Sequence, residues 1–400
     1  MKKYILLIIS VFILVVLFSS GEIQSQEKKL IPFLKADKFG FVDQAGEMVV
    51  PSIYDDVKPF CKGYAVVCRN ELCGLINTNG EEIIPPKYDN IGTFAEDRAK
   101  VELHGKSGFI DKTGKEVIAL NYNKVENFQD GIAVVTKVRG NLEKFGVIDK
   151  EGNEIAAPIY DWAGNYAEGM LCVELIDKYG YIDKNGEPVI RPMYEFAGAF
   201  SEGLALIKSE GLYGYINKNG DIAIPAVYRE AGSFNDGYTF VSTEDKVFYY
   251  IDSKGQKVFN KDFVYAESFH DGFAIIGRMT RKGFGKGVIN AEGKEVIAPE
   301  YSDIKHYEKN RCLVKEDGKV YFIDDEEKRI SNKYLDAWWF EEERARVMDD
   351  YEFGFINKEG NETIPLKYKY AFNFKNGFAR VKFEGAEFYI DQKGHEYYEK

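Results

Sequence analysis

The 400-residue chain has few of the residues on which metal and imidazole chemistry depend, with only four histidines and five cysteines. The histidines fall at unrelated places, and none has a second His or Cys at metal-ligand spacing. The sequence also lacks a Gly-x-Ser-x-Gly elbow, a phosphate-binding glycine loop and a His-Glu-x-x-His motif. We therefore expect no catalytic residue, no metal and no cofactor.

The chain also has fewer positively charged than negatively charged side chains. Lys and Arg number 53 against 65 Asp and Glu, which gives a net charge of −12. A general nucleic-acid binder needs a concentrated basic face to neutralise phosphates, so this composition argues against nucleic acid as a partner.

Long apolar runs are missing after the first 18 residues. The N-terminus places Lys2 and Lys3 before an apolar run, 4–18, which ends in small residues. This pattern predicts a signal peptide over 1–25 and a linker over 26–37, so the protein would be periplasmic, cell-surface or secreted. The alternative is an uncleaved membrane anchor through 4–18, although the run is short for a spanning helix of about 20 residues.

The cysteines are odd in number, so at least one has no intrachain partner. Cys68 and Cys73 flank the segment RNEL, which reads as a hairpin end, and they would face each other across the two strands. A disulfide between them is expected for an exported chain. Cys312 replaces an alanine of the repeat pattern and is expected to be a buried thiol.

What the sequence has in abundance is one repeated segment. The stretch YGYIDKNGE, 179–187, has a near copy in YGYINKNGD, 213–221, and looser copies from residue 38 to residue 387. We number each unit from the Gly of YGYID, which is position 0. The ten units begin at Gly40, Gly74, Gly108, Gly146, Gly180, Gly214, Tyr249, Gly287, Tyr321 and Gly354, and residues 388–400 would form a partial eleventh unit as a C-terminal cap.

Each unit carries the signals of short strands joined by turns. Position 2 is always Val or Ile, and it is followed by Asp or Asn and then by Gly, a combination that predicts a tight hairpin turn. A second strand ends near a proline, as at Pro192. Tyr at position 14, an apolar residue at 17 and an aromatic at 20 predict a tight corner with a 3₁₀ turn before a third strand.

A three-stranded unit of this length cannot bury its own Ile, Tyr and Phe, so neighbouring units must bury them by stacking. The predicted fold is all-β, an open solenoid or superhelical array of tandem β-meanders of about 34 residues. The alternative is a propeller-like closed ring, which ten three-stranded blades would strain because typical rings have about 4–8 blades of four strands.

The consensus GYID..G..VI.P.Y…F..G.A.V resembles the WG-repeat family, also called KWG repeats, which is found largely in bacterial proteins. The resemblance covers 38–395. The family is named for a Trp before the Gly, whereas this chain has Phe or Tyr there in six units and never Trp. The resemblance implies a repeat scaffold, often exported, with no shared catalytic residues.

Three departures from the pattern are candidate binding sites. Two four-residue insertions are locally basic, and they are either longer hairpin tips with solvated cations, which is the simpler interpretation, or anion-binding fingers. Trp338 and Trp339 stand together in the acidic ninth unit, where a variant core corner is the first interpretation and one exposed Trp is the alternative. The basic residues of the insertions are Lys137, Arg139, Lys144, Arg278, Arg281, Lys282 and Lys286.

These observations predict an exported, non-enzymatic repeat scaffold that binds a protein or a cell-envelope polymer. Two alternatives remain open. One is a glycan-active enzyme, since carboxylates are abundant enough to supply a catalytic pair. The other is a purely structural spacer.

Overall fold

The computed structural model describes residues 30–244, 247–308 and 311–399, together with all side chains in these ranges except those of Arg139 and Glu244. Within them the regular secondary structure is β throughout. None of the described segments forms a helix long and apolar enough to cross a membrane. The predicted signal peptide, 1–25, lies outside the described residues.

The strands form eleven antiparallel sheets, which we call blades one to eleven in chain order. Nine blades have four described strands, and blades one and nine have three.

The strands of the first six blades are as follows. Blade one contains β1 (Ile31–Lys35), β2 (Lys38–Val42) and β3 (Met48–Tyr54). Blade two contains β4 (Asp56–Val57), β5 (Tyr64–Arg69), β6 (Leu72–Asn77) and β7 (Glu82–Tyr88). Blade three contains β8 (Asn90–Ile91), β9 (Ala99–Leu103), β10 (Lys106–Ile110) and β11 (Glu116–Tyr122). Blade four contains β12 (Lys124–Val125), β13 (Ile132–Arg139), β14 (Leu142–Asp149) and β15 (Glu154–Tyr160). Blade five contains β16 (Trp162–Ala167), β17 (Met170–Leu175), β18 (Lys178–Asp183) and β19 (Pro188–Tyr194). Blade six contains β20 (Phe196–Ser201), β21 (Leu204–Ser209), β22 (Leu212–Asn217) and β23 (Ile222–Tyr228).

The remaining five blades follow the same order. Blade seven contains β24 (Glu230–Ala231), β25 (Tyr238–Glu244), β26 (Val247–Asp252) and β27 (Lys257–Phe263). Blade eight contains β28 (Tyr265–Ala266), β29 (Phe273–Thr280), β30 (Gly283–Asn290) and β31 (Glu295–Tyr301). Blade nine contains β32 (Asp303–Glu308), β33 (Arg311–Glu316) and β34 (Lys319–Ile323). Blade ten contains β35 (Asp336–Glu341), β36 (Arg344–Asp349), β37 (Glu352–Ile356) and β38 (Glu362–Tyr368). Blade eleven contains β39 (Tyr370–Ala371), β40 (Phe378–Phe383), β41 (Ala386–Asp391) and β42 (Glu396–Tyr397).

The sequence repeat is out of phase with the blades. A unit supplies the third and fourth strands of one blade and then the first and second strands of the next. The corner predicted as a 3₁₀ turn is instead a first strand, and the three-stranded unit is therefore wrong. In blade three, Asn90–Ile91 pairs with β9, and the main-chain N–H of Gly92 donates to the Lys100 carbonyl at 2.8 Å. These main-chain bonds satisfy the corner's polar groups within a sheet.

The predicted hairpin turn is confirmed. In the fifth unit Asp183 Oδ1 accepts hydrogen bonds from the main-chain N–H groups of Asn185 at 2.8 Å and Glu187 at 2.9 Å, while Gly186 has φ of +80°. At position 0, a Cβ on Gly180 would lie 2.4 Å from the Ile190 carbonyl oxygen. The third and fourth strands therefore approach too closely there for a side chain, which is why glycine recurs.

The large side chains are buried between blades, as the repeat predicts. Tyr181 of blade five packs on Phe200 of blade six with ring centroids 4.8 Å apart, and Tyr215 packs on Phe234 of blade seven at 4.9 Å. Positions 1 and 20 of the same unit therefore meet across the boundary between two blades, because each unit spans two blades. Both tyrosines also donate their hydroxyl protons across the same boundary, Tyr181 to the Gly198 carbonyl at 2.6 Å and Tyr215 to that of Gly232 at 2.7 Å.

The chain closes into a ring, because its last blade packs on its first. One hydrophobic core combines residues from Leu30 to Ile76 with residues from Phe355 to Ile390. The Glu399 N–H donates to the Leu34 carbonyl at 2.8 Å, and Leu34 forms a parallel bridge with Tyr398. The all-β tandem-repeat fold is confirmed, the open solenoid is wrong, and the closed ring given as its alternative is confirmed.

Closure uses both ends of the chain in roles that the sequence did not indicate. The segment expected to be a linker, 26–37, contains β1, which is a strand of blade one. The expected C-terminal cap, 388–400, supplies β42 and the residues that contact β1. The two ends therefore seal each other, so the fold has no free edge there for a cap to cover.

Candidate functional site

The ring is irregular where it closes, because blade one has no counterpart of the short first strand found in the other blades. Two contacts instead run directly from blade eleven to blade two. Arg380 Nη1 lies 2.7 Å from Asp56 Oδ1, and the Tyr389 hydroxyl donates to the Val57 carbonyl at 2.8 Å. We call this region the seam.

A cavity of about 590 Å³ lies at the seam, and we call it the seam pocket. Its walls come from blades two, three, ten and eleven, so that Thr93 of blade three and Arg346 of blade ten line the same space although three blades separate them along the ring. Blades that far apart can share a cavity only where they converge, so the first strands face the inside of the ring. The missing strand of blade one leaves this space open.

The seam pocket is cationic and aromatic. Five cations and one carboxylate line it, in a protein whose net charge is −12. The cations are Lys58, Lys62, Arg346, Lys375 and Arg380, and the carboxylate is Glu341. Aromatic walls come from Tyr64, Phe94, Phe372, Phe378 and Tyr389. This combination suits a ligand that carries negative charge beside an apolar or planar group.

Some of these cations form ion pairs with carboxylates of the protein, and others do not. Arg380 contacts Asp56 at 2.7 Å and Glu387 at 3.2 Å. In the described part of the chain, Lys58, Lys62 and Lys375 form no ion pair, and all three are exposed. These lysines are thus available to an anion from outside.

Arg346 lies half-buried in the wall. Its guanidinium carbon stands 3.8 Å from the centre of the Trp338 ring, and its Nη1 donates to the Ala371 carbonyl. Burial lowers the pKa of Arg346, since a charged group loses hydration there. Among the described residues no carboxylate pairs with it, so a ligand anion would restore the lost stabilisation of its charge.

Three buried polar atoms in the walls have no hydrogen-bond partner within the described structure. They are Arg346 Nε, Arg380 Nε and Asn373 Oδ1. Five other buried polar atoms of the described residues also have no partner, three of them arginine Nε, so the unpaired atoms are a general feature of the ring and the charge of the pocket is its distinguishing property.

Sequence reasoning missed this pocket, yet a signal was present at position 22. In most units this residue is Asp or Glu, and its carboxylate accepts a hydrogen bond from the main chain of the next blade, as Glu168 does from Gly203 at 3.0 Å. At the seam, Lys62 and Asn376 occupy that position. Lys309 of the eighth unit is a third exception in the sequence, so the column of carboxylates is interrupted at the seam and in one other unit.

The basic residues of the two insertions lie on long hairpins, in blades four and eight. Five of the seven form ion pairs: Lys137 with Glu154, Lys144 with Asp161, Arg278 with Glu295, Lys282 with Glu300, and Lys286 with Asp303. Arg281 has no ion pair among the described residues, and the side chain of Arg139 lies outside them. None of the seven lines the seam pocket, and their role in binding stays a prediction.

The two adjacent tryptophans point to different neighbours, and both are half-buried. Trp338 stacks against Arg346, whereas the Trp339 ring lies 4.1 Å from that of His306. Burial lowers the pKa of His306, because the protonated imidazole loses hydration there. Both tryptophan rings therefore agree better with the variant core corner than with the exposed tryptophan given as its alternative, and Trp338 supports a residue of the seam pocket.

Cys68 and Cys73 are directly opposed across β5 and β6, and the structure joins them by a disulfide. Cys312 is buried, as expected, and burial raises the pKa of its thiol. Cys61, for which the sequence predicted no role, lies partly exposed in the wall of the seam pocket.

The family model described as "WG containing repeat" matches nine segments of the chain, which are 39–73, 74–106, 108–137, 145–179, 179–213, 213–246, 250–276, 287–319 and 353–385. The chain belongs to the WG-repeat family. The matched WG segments begin near position 0, so each one spans two blades of the ring. No curated protein sequence matches the chain.

Comparison with solved structures gives distant likenesses to this WG-repeat ring. A structure described as a eukaryotic initiation factor aligns over 84% of this chain and 95% of its own, with 10% identity and a TM-score of 0.44. BamB from Moraxella catarrhalis aligns over 74% of this chain and 94% of its own, with 13% identity and a TM-score of 0.34. These TM-scores are too low for either likeness to indicate a function.

Proposed function

We propose that this WG-repeat protein is an exported, non-enzymatic scaffold whose seam pocket binds an acidic segment of a partner protein. The observation that carries the proposal is the pocket's charge: three exposed lysines and a half-buried arginine, none of them ion-paired in the described structure, converge on one cavity of an acidic protein. Because the aromatic walls lie beside these cations, a peptide with both carboxylates and an apolar side chain fits better than a small inorganic anion.

The groups at the pocket favour binding over catalysis. They provide cationic, aromatic and amide contacts, together with the Glu341 carboxylate and the Cys61 thiol. Export is supported by the N-terminal sequence pattern, and it would be tested by finding the mature N-terminus near residues 21–25 in an envelope or culture fraction.

The binding test uses a synthetic peptide of alternating glutamate and phenylalanine and isothermal titration calorimetry. Changing Lys58, Lys62 and Lys375 together to Gln should weaken binding about tenfold, since roughly 0.5 kcal/mol per exposed contact gives about 1.4 kcal/mol. Binding to the unchanged protein should also weaken as salt rises. The matched control changes three exposed lysines outside the pocket, Lys178, Lys184 and Lys254, to Gln, and it should bind as the parent does.

Cys61 provides an independent readout within the pocket. A saturating amount of the same peptide should slow its alkylation, whereas an uncharged peptide of serine and phenylalanine should not. Equal binding by the two lysine triples, or alkylation of Cys61 that ignores the peptide, would contradict the proposal. Binding of an anionic polysaccharide in place of the peptide would assign the pocket to an envelope polymer instead.

A further inference from the structure

A second surface stands apart from the seam, on blades four to six. Position 16 and the residue before position 0 are both aromatic here, and the two kinds of position alternate along a row that has two side chains from blade five and two from blade six. Ring centroids are 6.0 Å apart for Trp162 and Tyr179, 5.9 Å for Tyr179 and Phe196, and 6.3 Å for Phe196 and Tyr213. We call these four residues the aromatic row.

The row is open to solvent. Trp162 is 40% exposed and Phe196 is 39% exposed, although core packing would bury such side chains. Gly164 and Gly198 follow two residues after them, and a Cβ on Gly164 would lie 2.4 Å from the Trp162 ring. The absence of a side chain at Gly164 therefore leaves room for the indole close to its own strand, where it stays 40% exposed.

A groove of about 520 Å³ runs beside the row, lined by Phe145, Trp162 and Phe196. Its charged groups are one lysine and one glutamate, Lys124 and Glu126. Both already have opposite charges nearby, since Lys124 lies 2.9 Å from Glu143 and Glu126 lies 3.9 Å from Lys100. This groove therefore has no excess of positive or negative charge that would attract an ion, whereas the seam pocket has an excess of positive charge.

We propose that the aromatic row and its groove bind a neutral oligosaccharide chain, with one pyranose ring on Trp162 and another on Phe196. The C–H face of a pyranose is apolar and carries partial positive charge, which the negative face of an aromatic ring attracts. The hydroxyl groups at the edge of the sugar require hydrogen-bond partners, and Glu126, Asn165 and Lys124 supply them at the groove wall. A row that extends over successive blades suits a chain of sugars more than a single one.

Tryptophan fluorescence tests this site directly. The chain has three tryptophans, so changing Trp338 and Trp339 to Phe leaves Trp162 as the sole emitter. Titration with cellohexaose, maltohexaose and chitohexaose should give a saturable shift of Trp162 emission with at least one of them. A polyuronate oligomer serves as the anionic comparison and should bind at least tenfold more weakly.

Calorimetry with the sugar that binds then tests the two stacking residues separately. Trp162→Ala and Phe196→Ala should each weaken binding tenfold or more, and because both side chains are exposed, neither should lower the melting temperature by more than a few degrees. The control is Tyr351→Ala, which removes an aromatic that is 78% exposed outside the row, and it should bind as the parent does. Failure of all three neutral sugars, preference for the polyuronate, or equal loss in the control would overturn the proposal.

Discussion

Glu202 of blade six accepts a hydrogen bond from the main-chain N–H of Gly237 in blade seven, at 2.9 Å from Oε2. The same contact occurs at four other boundaries between blades, and in each it joins an acidic residue at position 22, or at position 21 in the ninth unit, to the glycine at position 23 of the next unit. The other pairs are Glu96 with Gly131, Glu168 with Gly203, Asp236 with Gly272, and Glu342 with Gly377. These carboxylates hold neighbouring blades in register on an exposed surface.

Removing one such contact should loosen one boundary. Glu202→Ala leaves the Gly237 N–H to solvent, and we expect a loss of about 1 kcal/mol in the free energy of unfolding, because the bond is charge-assisted but exposed. Urea unfolding measures this loss, and hydrogen exchange of the Gly237 amide should become faster. Glu210→Ala, an exposed turn carboxylate of the same blade, is the control and should change neither. Equal effects of the two variants would show that Glu202 does not bridge the blades.

Phe200 tests the core between blades. The ring is 3% exposed and packs on Tyr181 of the preceding blade. Phe200→Ala should cost about 3–5 kcal/mol, and amide protection should fall in both blades five and six. Phe196→Ala, four residues away on the same strand but exposed, should cost far less. Loss of protection confined to blade six would mean that the blades do not share a core.

Features of the fold that depend on residues close together in the sequence could be predicted, whereas features that depend on distant residues could not. The Asp183 turn and the stacking of large side chains between neighbours follow from residues within one or two units, and both were predicted, whereas the pairing of position 1 with position 20 was not. Ring closure was given only as the alternative, because it depends on a small rotation between neighbouring blades that adds up over the whole chain.

The seam pocket was hidden for a related reason. Lys62 and Arg346 are 284 positions apart in the chain and share a cavity only because the ring closes with blade one one strand short. The sequence shows Lys62 and Asn376 at position 22, where most units have Asp or Glu. These two residues indicate a shared pocket only once the closed ring is known to bring the first and tenth units close together.

The thiols should differ in reactivity. Burial raises the pKa of Cys172 to about 12 and that of Cys312 in the same direction, so both stay protonated at neutral pH and out of reach of reagents. In native protein from an oxidising compartment, alkylation should modify Cys61 alone, and Cys172 and Cys312 should react after unfolding. Mass spectrometry of tryptic peptides measures this pattern. Ready labelling of Cys68 or Cys73 in the native protein would contradict their disulfide.

The basic hairpin of blade eight allows a test of whether the insertions, rather than the seam pocket, bind the acidic peptide. Reversing Arg278, Arg281 and Lys282 to Glu places new carboxylates opposite Glu295 and Glu300, the present partners of two of them. We expect a lower melting temperature and unchanged binding of the acidic peptide, because none of the three lines the seam pocket. Loss of peptide binding at an unchanged melting temperature would instead assign binding to the hairpins.

Closure of the ring is the central claim, since the seam pocket exists only if blade eleven meets blades one and two. Lys35 and Glu399 form an ion pair at 3.0 Å across that junction. Fluorophores attached at these two positions, after Cys61→Ser and with cysteines introduced in their place, report the distance between the ends in solution. Near-complete energy transfer that is lost on unfolding in urea is the predicted result. An open array with sheets about 10 Å apart would separate its ends by roughly 100 Å, and negligible transfer in the folded protein would contradict the closed ring.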